Sequence, residues 1–160
     1  QIRAAKTASV VAAATKVGAI LSNKEKKIKD ALEFYGKNLG LTFQIADDTL
    51  DYNSDLNIFG KETGNDFYEG KITLPIILLC QKAEKDEKLK IKEFFKKTKR
   101  SEDDFKKILS MIKKYNIIFE CYKKAEYFIN LASNSLSVFE DSKEKNILKN
   151  LTSFTLERNF

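Results

Sequence analysis

A single proline, Pro75, stands in the 160 residues, together with only 6 glycines. Those two residues punctuate turns, and a β fold with many hairpins needs far more of them. A chain with so few breaks is committed to long helices, so the expected fold class is all-α. Hydrophobic residues make up 42% and charged residues 32%, a balance that supports a packed core and excludes disorder. The length suits one compact domain and is short for two. No stretch approaches the ~18 uninterrupted apolar residues of a membrane span.

Residues 2–21 read as an apolar helix whose small side chains, Ala5, Ala8, Ala12, Ala13 and Ala14, suit close helix packing. This stretch lacks acids and superficially imitates a targeting peptide, but Lys16 interrupts it. No capping residue precedes it, and the expectation is a buried helix entered partway, with a segment missing upstream. Ser22, Asn23 and Lys24 form a turn, and Ser22 with Glu25 has the capping-box spacing. A second helix is expected from about Lys26 to Tyr52, followed by a polar loop from Asn53 to Gly70. Loops of that length in compact domains are usually functional or disordered. A third helix should start near Thr73 with Pro75 in its first turn, where its missing N–H is tolerated. The remainder reads as amphipathic helices. One is lysine-rich around Phe94 and Phe95, and one is opened by Ser101 and Asp104 at capping-box spacing. Asp103 and Asp104 there read as surface residues.

The chain contains no histidine, so no imidazole base, histidine triad or histidine metal ligand can come from it. Cys80 and Cys121 form no CxxC unit and read as reduced, buried thiols. The net charge is +6, and its surplus belongs to residues 81–124, which hold 15 basic and 8 acidic side chains. Of the 29 basic residues, only Arg3, Arg100 and Arg158 are arginines. Base and phosphate readers favour the planar guanidinium fork, so no nucleic-acid partner is expected.

The most informative stretch is Leu41-Thr42-Phe43-Gln44-Ile45-Ala46-Asp47-Asp48-Thr49-Leu50-Asp51-Tyr52. At about 100° per residue, Gln44, Asp47, Asp48 and Asp51 fall within roughly one 100° sector, with Leu39, Phe43, Ala46 and Leu50 assigned to the opposite face. Like charges at this spacing repel unless a cation joins them. Mg²⁺ suits the arrangement, because it takes one or two carboxylates, keeps waters and accepts phosphate oxygens. The loop that follows carries Lys61 and Lys71 beside Gly60 and Gly70, and glycine lets backbone amides approach a phosphate. Lys6 and Thr7 lie on the apolar first helix, where a charge needs a partner. Together these residues suggest an anion held by Mg²⁺ on one side and by ammonium groups on the other.

Three segments in order, Lys6-Thr7-Ala8, Gly40 through Tyr52, and Gly60-Lys61 through Gly70-Lys71-Ile72-Thr73-Leu74-Pro75, resemble the second half of the trans-polyprenyl diphosphate synthases. The likeness is greatest to the octaprenyl, long-chain type. It implies an isoprenoid-synthase helical bundle, with residues 1–160 forming the C-terminal part of a single domain and the N-terminal half absent. It also implies head-to-tail elongation of an allylic prenyl diphosphate with isopentenyl diphosphate through Mg²⁺-assisted ionisation. In that resemblance Asp47, Asp48 and Asp51 hold the metal, and Lys6, Lys61 and Lys71 contact the substrate diphosphate. Lys6, Thr7 and Gln44 lie at the reacting centre, and Phe43 lines the isoprenoid. A homodimer is implied, as is a cytoplasmic location in a bacterium, or a mitochondrion or plastid in a eukaryote. The family's first aspartate-rich motif has no counterpart here, so the chain alone is expected to be inactive. Two other readings stand beside it: a non-catalytic helical subunit that dimerises with a complete synthase, and a terpene synthase of the same fold.

Overall fold

A computed structural model describes the backbone over residues 2–53 and 63–157, and the side chains over 6–53 and 63–155. The described residues form eight α-helices and one short 3-10 turn, with no strand among them. The helices are α1 (Ile2–Leu21), α2 (Lys26–Leu50), α3 (Asn65–Tyr68), α4 (Leu74–Lys82), α5 (Lys85–Lys96), α6 (Glu102–Lys114), α7 (Ile117–Ser135) and α8 (Lys143–Glu157). No described helix is long and apolar enough to cross a membrane. The helices gather into two compact units. One contains the residues up to Ala46 and those from Tyr122 onward, and the other is Asp47–Cys121.

In the first unit α1 and α2 form an antiparallel hairpin. The link is not the Ser22–Glu25 capping box. Ser22 instead belongs to the end of α1, where Asn23 takes a left-handed φ of 49°. The Lys24 amide donates to the Ala19 carbonyl and the Asn23 amide to that of Ile20, both at 3.0 Å, which is a Schellman turn. Glu25 then supplies the first carbonyl of α2.

The two helices touch backbone to backbone. A Cβ on Gly40 would lie 2.7 Å from Ala8 Cα, and one on Gly36 would lie 2.6 Å from the Val11 carbonyl oxygen. Only glycine fits there. The small-residue expectation for α1 therefore holds for Ala8 and Ala12, which are buried, whereas Ala13 and Ala14 are exposed. Thr15 Oγ1 donates to the Leu32 carbonyl at 2.7 Å, and Lys16 pairs with Glu33 at 2.6 Å. Tyr35, Ala132 and Leu136 form the fully buried centre of this unit, with Leu32, Leu39, Phe139 and Leu148 packed around them.

The buried face of α2 is more polar than its apolar stripe suggests: of that stripe Ala46 is buried and Leu39 and Leu50 are half-buried. Tyr35, Asn38, Thr42, Ile45, Ala46 and Thr49 face inward, as does Tyr52 just past the helix end, while Phe43 is 54% exposed. Polar side chains tolerate this burial by bonding to the helix itself: Thr42 Oγ1 donates to the Asn38 carbonyl at 3.0 Å and Asn38 Nδ2 to that of Phe34 at 2.7 Å.

In the second unit α4 starts after Thr73 with Pro75 in its first turn, and it packs against α6. The capping box of α6 is formed as its sequence predicts, by Ser101 and Asp104. Asp104 is not a surface residue, however. It is 4% exposed and binds Lys97 Nζ through both oxygens, at 2.7 and 2.8 Å. Cys121 is buried, Cys80 is half-buried, and both are free thiols.

Candidate active site

The predicted site residues are distributed over both units. In the first, Thr7 on α1 meets Gln44 on α2: Thr7 Oγ1 donates to Gln44 Oε1 at 3.4 Å, one turn beyond the Ala8–Gly40 contact. The bond is long, and the glycine contact that precedes it is what fixes the separation of the two helices. Lys6 is exposed beside Thr7, and Phe43 is exposed beside Gln44. Ala8, Ser9, Ala13, Lys16, Phe34 and Lys37 line an open, mainly apolar groove of about 850 Å³ along the same pair of helices.

In the second unit Asp47 and Asp48 occupy the last turn of α2, Asp47 exposed and Asp48 half-buried. Asp51 lies just past the helix end. A helix C-terminus carries the equivalent of about half a negative charge, so carboxylates there are unfavourable without a cation. No basic residue occupies that last turn. The same turn therefore combines side-chain and backbone negative charge.

Asp51 differs from its neighbours. Its Oδ1 accepts from the Asn65 amide at 3.1 Å and its Oδ2 from the Asp66 amide at 2.8 Å. Its own carbonyl accepts from the Gly64 amide at 2.9 Å. Burial raises its carboxyl above the ordinary range, and the amide bonds from Asp66, Asn65 and Gly64 oppose that shift. Among the described residues no three acidic or thiol side chains converge closely enough to cage a metal unaided.

The donor set still fits a hard divalent ion. It consists of oxygens only, in a chain without histidine, and Mg²⁺ commonly takes one or two carboxylates and completes its shell with water and substrate oxygens. Asp47 and Asp48, in the last turn of α2, are the carboxylates that could contribute to such a shell.

Lys71 follows Gly70, whose φ is 74°. Its Nζ pairs with Asp66 Oδ1 at 3.0 Å and with Glu69 Oε2 at 2.5 Å, so the ammonium is held near carboxylates. Lys61 lies outside the described residues, as does half of the loop expected between Asn53 and Gly70. The described end of that loop contains α3, a helix the sequence reading did not anticipate.

Two residues that reading missed are prominent here. Asp66 contacts both Asp51 and Lys71. Arg100 lies against the Phe67 and Phe95 rings, with its guanidinium carbon 6.0 and 5.4 Å from their centres. An arginine in a chain of lysines was the available signal for Arg100, because a stacked planar cation is the one role lysine cannot fill.

A family model described as polyprenyl synthetase matches residues 1–112. The chain is 35% identical to a short chain isoprenyl diphosphate synthase of Methanothermobacter thermautotrophicus, over 96% of this chain and 46% of that one. The fold superposes on a decaprenyl diphosphate synthase from Rhodobacter capsulatus with a TM-score of 0.90 at 30% identity, covering 98% of this chain and 48% of that one. It also matches a polyprenyl synthase from Caulobacter crescentus, solved with calcium and isoprenyl diphosphate, with a TM-score of 0.88 at 32% identity, over 98% of this chain and 48% of that one. The chain belongs to the polyprenyl synthetase family. It spans about half the length of the relatives it matches.

Proposed function

We propose that this chain carries the diphosphate-ionising half of a head-to-tail prenyltransferase, which extends an allylic prenyl diphosphate with isopentenyl diphosphate. The observation that carries the reading is the end of α2, where Asp47 and Asp48 sit on a helix C-terminus with no basic residue in its last turn. Negative charge concentrated in this way is matched by a divalent cation shared with a diphosphate. Family membership supports the same assignment.

In this mechanism Asp47 and Asp48 would hold Mg²⁺, with Asp51 adjoining them. The bound ion supplies Lewis-acid stabilisation of the departing diphosphate oxygens. Lys6, Lys61 and Lys71 bind the same leaving group, and their ammonium charge counts most as the allylic C–O bond breaks and negative charge grows on diphosphate. Thr7 and Gln44 present oxygens beside the carbon that becomes cationic. Phe43 offers an aromatic face to the isoprenoid chain and excludes water from the cation. The double bond of isopentenyl diphosphate then attacks that carbon, and loss of a proton completes the five-carbon extension. The second substrate's site and a second copy of the chain complete this reading.

Calorimetric titration of geranylgeranyl diphosphate into the chain, with and without Mg²⁺, tests it. The expected result is binding that requires Mg²⁺ and is lost in the Asp47→Asn/Asp48→Asn variant. Binding that is indifferent to both the metal and the substitutions would sink the proposed role of the α2 terminus.

A further inference from the structure

Segment 64–71, which ends in Lys71, is fastened at both ends. At its start Asp51 takes three bonds: Gly64 N to its carbonyl, Asn65 N to Oδ1 and Asp66 N to Oδ2. That carboxylate caps α3 from 14 residues away, and both of its oxygens are directed at amides. A four-residue helix has no intrinsic stability, so its conformation depends on such external bonds.

At the other end Arg100 Nη1 donates to the Tyr68 carbonyl at 3.2 Å and Nη2 to that of Phe95 at 2.9 Å. The guanidinium lies so close under Gly70 that a Cβ there would sit 2.6 Å from Nη2. Phe67, fully buried, anchors the middle of the segment against Phe95 and Phe105, with ring centres 5.5 Å away in each case. The segment's rear half leads directly to Lys71, whose amide donates to the Asp66 carbonyl at 2.8 Å. Asp66 thus joins the Asp51 end to Lys71 through both its backbone and its carboxylate.

We propose that Asp51 and Arg100 are positioning residues, which clamp segment 64–71 so that Lys71 is presented at a fixed place to a diphosphate. The inference rests on the diphosphate reading above, and it gives Asp51 a task other than that of a third metal ligand. It also explains why an arginine stands at position 100, since lysine has no planar fork with which to stack on Phe95 and bind two carbonyls at once.

The test is residue-resolved labelling of lysine amines by acetic anhydride, read by mass spectrometry on the full chain. It compares wild type with Asp51→Ala, Asp51→Asn, Arg100→Ala and Arg100→Lys, each checked for unchanged helical content and melting temperature. Lys71 labelling is expected to rise by about threefold in Asp51→Ala and Arg100→Ala, as the half-buried Lys71–Asp66 pair is released. Lys90 and Lys123 should not change. Asp51→Asn keeps one acceptor oxygen and should fall between wild type and Asp51→Ala. Where either alanine variant fails to fold, Asp51→Asn and Arg100→Lys carry the comparison. Unchanged Lys71 labelling in folded variants overturns the proposal.

A second arm adds inorganic pyrophosphate with Mg²⁺. Protection of Lys71 in wild type supports the diphosphate reading. Its absence, with the variants still releasing Lys71, removes that reading but leaves the clamp. Asp51 is instead a metal ligand if Asp51→Ala keeps wild-type labelling and needs about tenfold more Mg²⁺ for protection, which also overturns the proposal.

Discussion

The hydroxyl of Tyr35 donates to the carbonyl oxygen of Leu148 at 2.9 Å, across 113 positions of sequence. It is a polar tie between α2 and α8 inside the first unit, and it ends a ring that is otherwise wholly buried. Tyr35→Phe keeps the ring and loses the bond, so stability should fall by about 1 kcal/mol. Tyr35→Ala also opens a cavity and should cost about 3–5 kcal/mol. Urea midpoints of the two variants measure the difference.

The contact between Gly40 and Ala8 predicts an unusual sign. In a helix interior glycine to alanine normally gains about 1 kcal/mol of helix propensity. Here the new methyl would press on the Ala8 backbone at 2.7 Å, and α1 cannot yield as a side chain would. Gly40→Ala should therefore destabilise by about 1–3 kcal/mol. It should also break the Thr7–Gln44 bond one turn further along. Thermal melts test the first outcome, and loss of NMR contacts between Thr7 and Gln44 tests the second.

Alkaline pH should unfold the protein through groups that burial keeps neutral. Desolvation pushes the Cys121 thiol from 9.0 up to about 11 and the Tyr35 hydroxyl from 10.0 up to about 12. In both cases the unfolded chain ionises first. Their contributions are complete below pH 9.0 and 10.0 respectively, and are lost as pH rises through the two folded-state values. Cys121→Ala should be less stable at pH 8 yet flatter between pH 9 and 11 than wild type. An unaltered slope in urea titrations at a series of pH values would contradict the assignment.

At the acid end the relevant group is Asp104. The Lys97 ammonium, followed by the Ser101 amide, holds its carboxyl below the usual carboxylate range. A depressed folded value means that its stabilisation is present above the unfolded value and is lost as pH falls through the folded one. Asp104→Asn should flatten the fall in stability below about pH 4, where unfolded aspartate titrates. Ser101→Ala, which removes the cap itself, should cost about 1 kcal/mol at neutral pH. Denaturation midpoints at pH 3 and pH 7 separate the two effects.

Much of this architecture could be read from the residues, and the exceptions have specific causes. The limits of α1 follow from its apolar run, and the start of α4 follows from Pro75, which is tolerated in a first helical turn. The inward face of α2 followed only at Ala46 and in part at Leu39 and Leu50, because Asn38, Thr42 and Thr49, which share it, are polar by type. In the helix Asn38 and Thr42 bond to carbonyls four residues back, and that solution is invisible in a hydropathy pattern. Ser22 was placed before the wrong helix because capping-box spacing also occurs where a Schellman turn closes the preceding one. Helix α3 has too few residues to show a period, and its cap comes from Asp51, far away in sequence. The aspartate positions on α2 were legible, but not that Asp51 is engaged by two amides. Asp66 and Arg100 act through tertiary contacts for which local spacing carries no signal.

The first unit is assembled from the two ends of the chain, and the second is the continuous stretch between them. This order has a kinetic consequence. The Asp47–Cys121 stretch can close on local contacts, whereas the Tyr35 core must wait for α7 and α8 to arrive. Bringing distant segments together carries a loop-closure cost before any contact is gained, and it slows folding. On a ribosome, α1 and α2 emerge before α7 and α8, and they remain without those core partners until α8 is released. The hairpin that holds Thr7 against Gln44 is thus made well before the helices that complete its core.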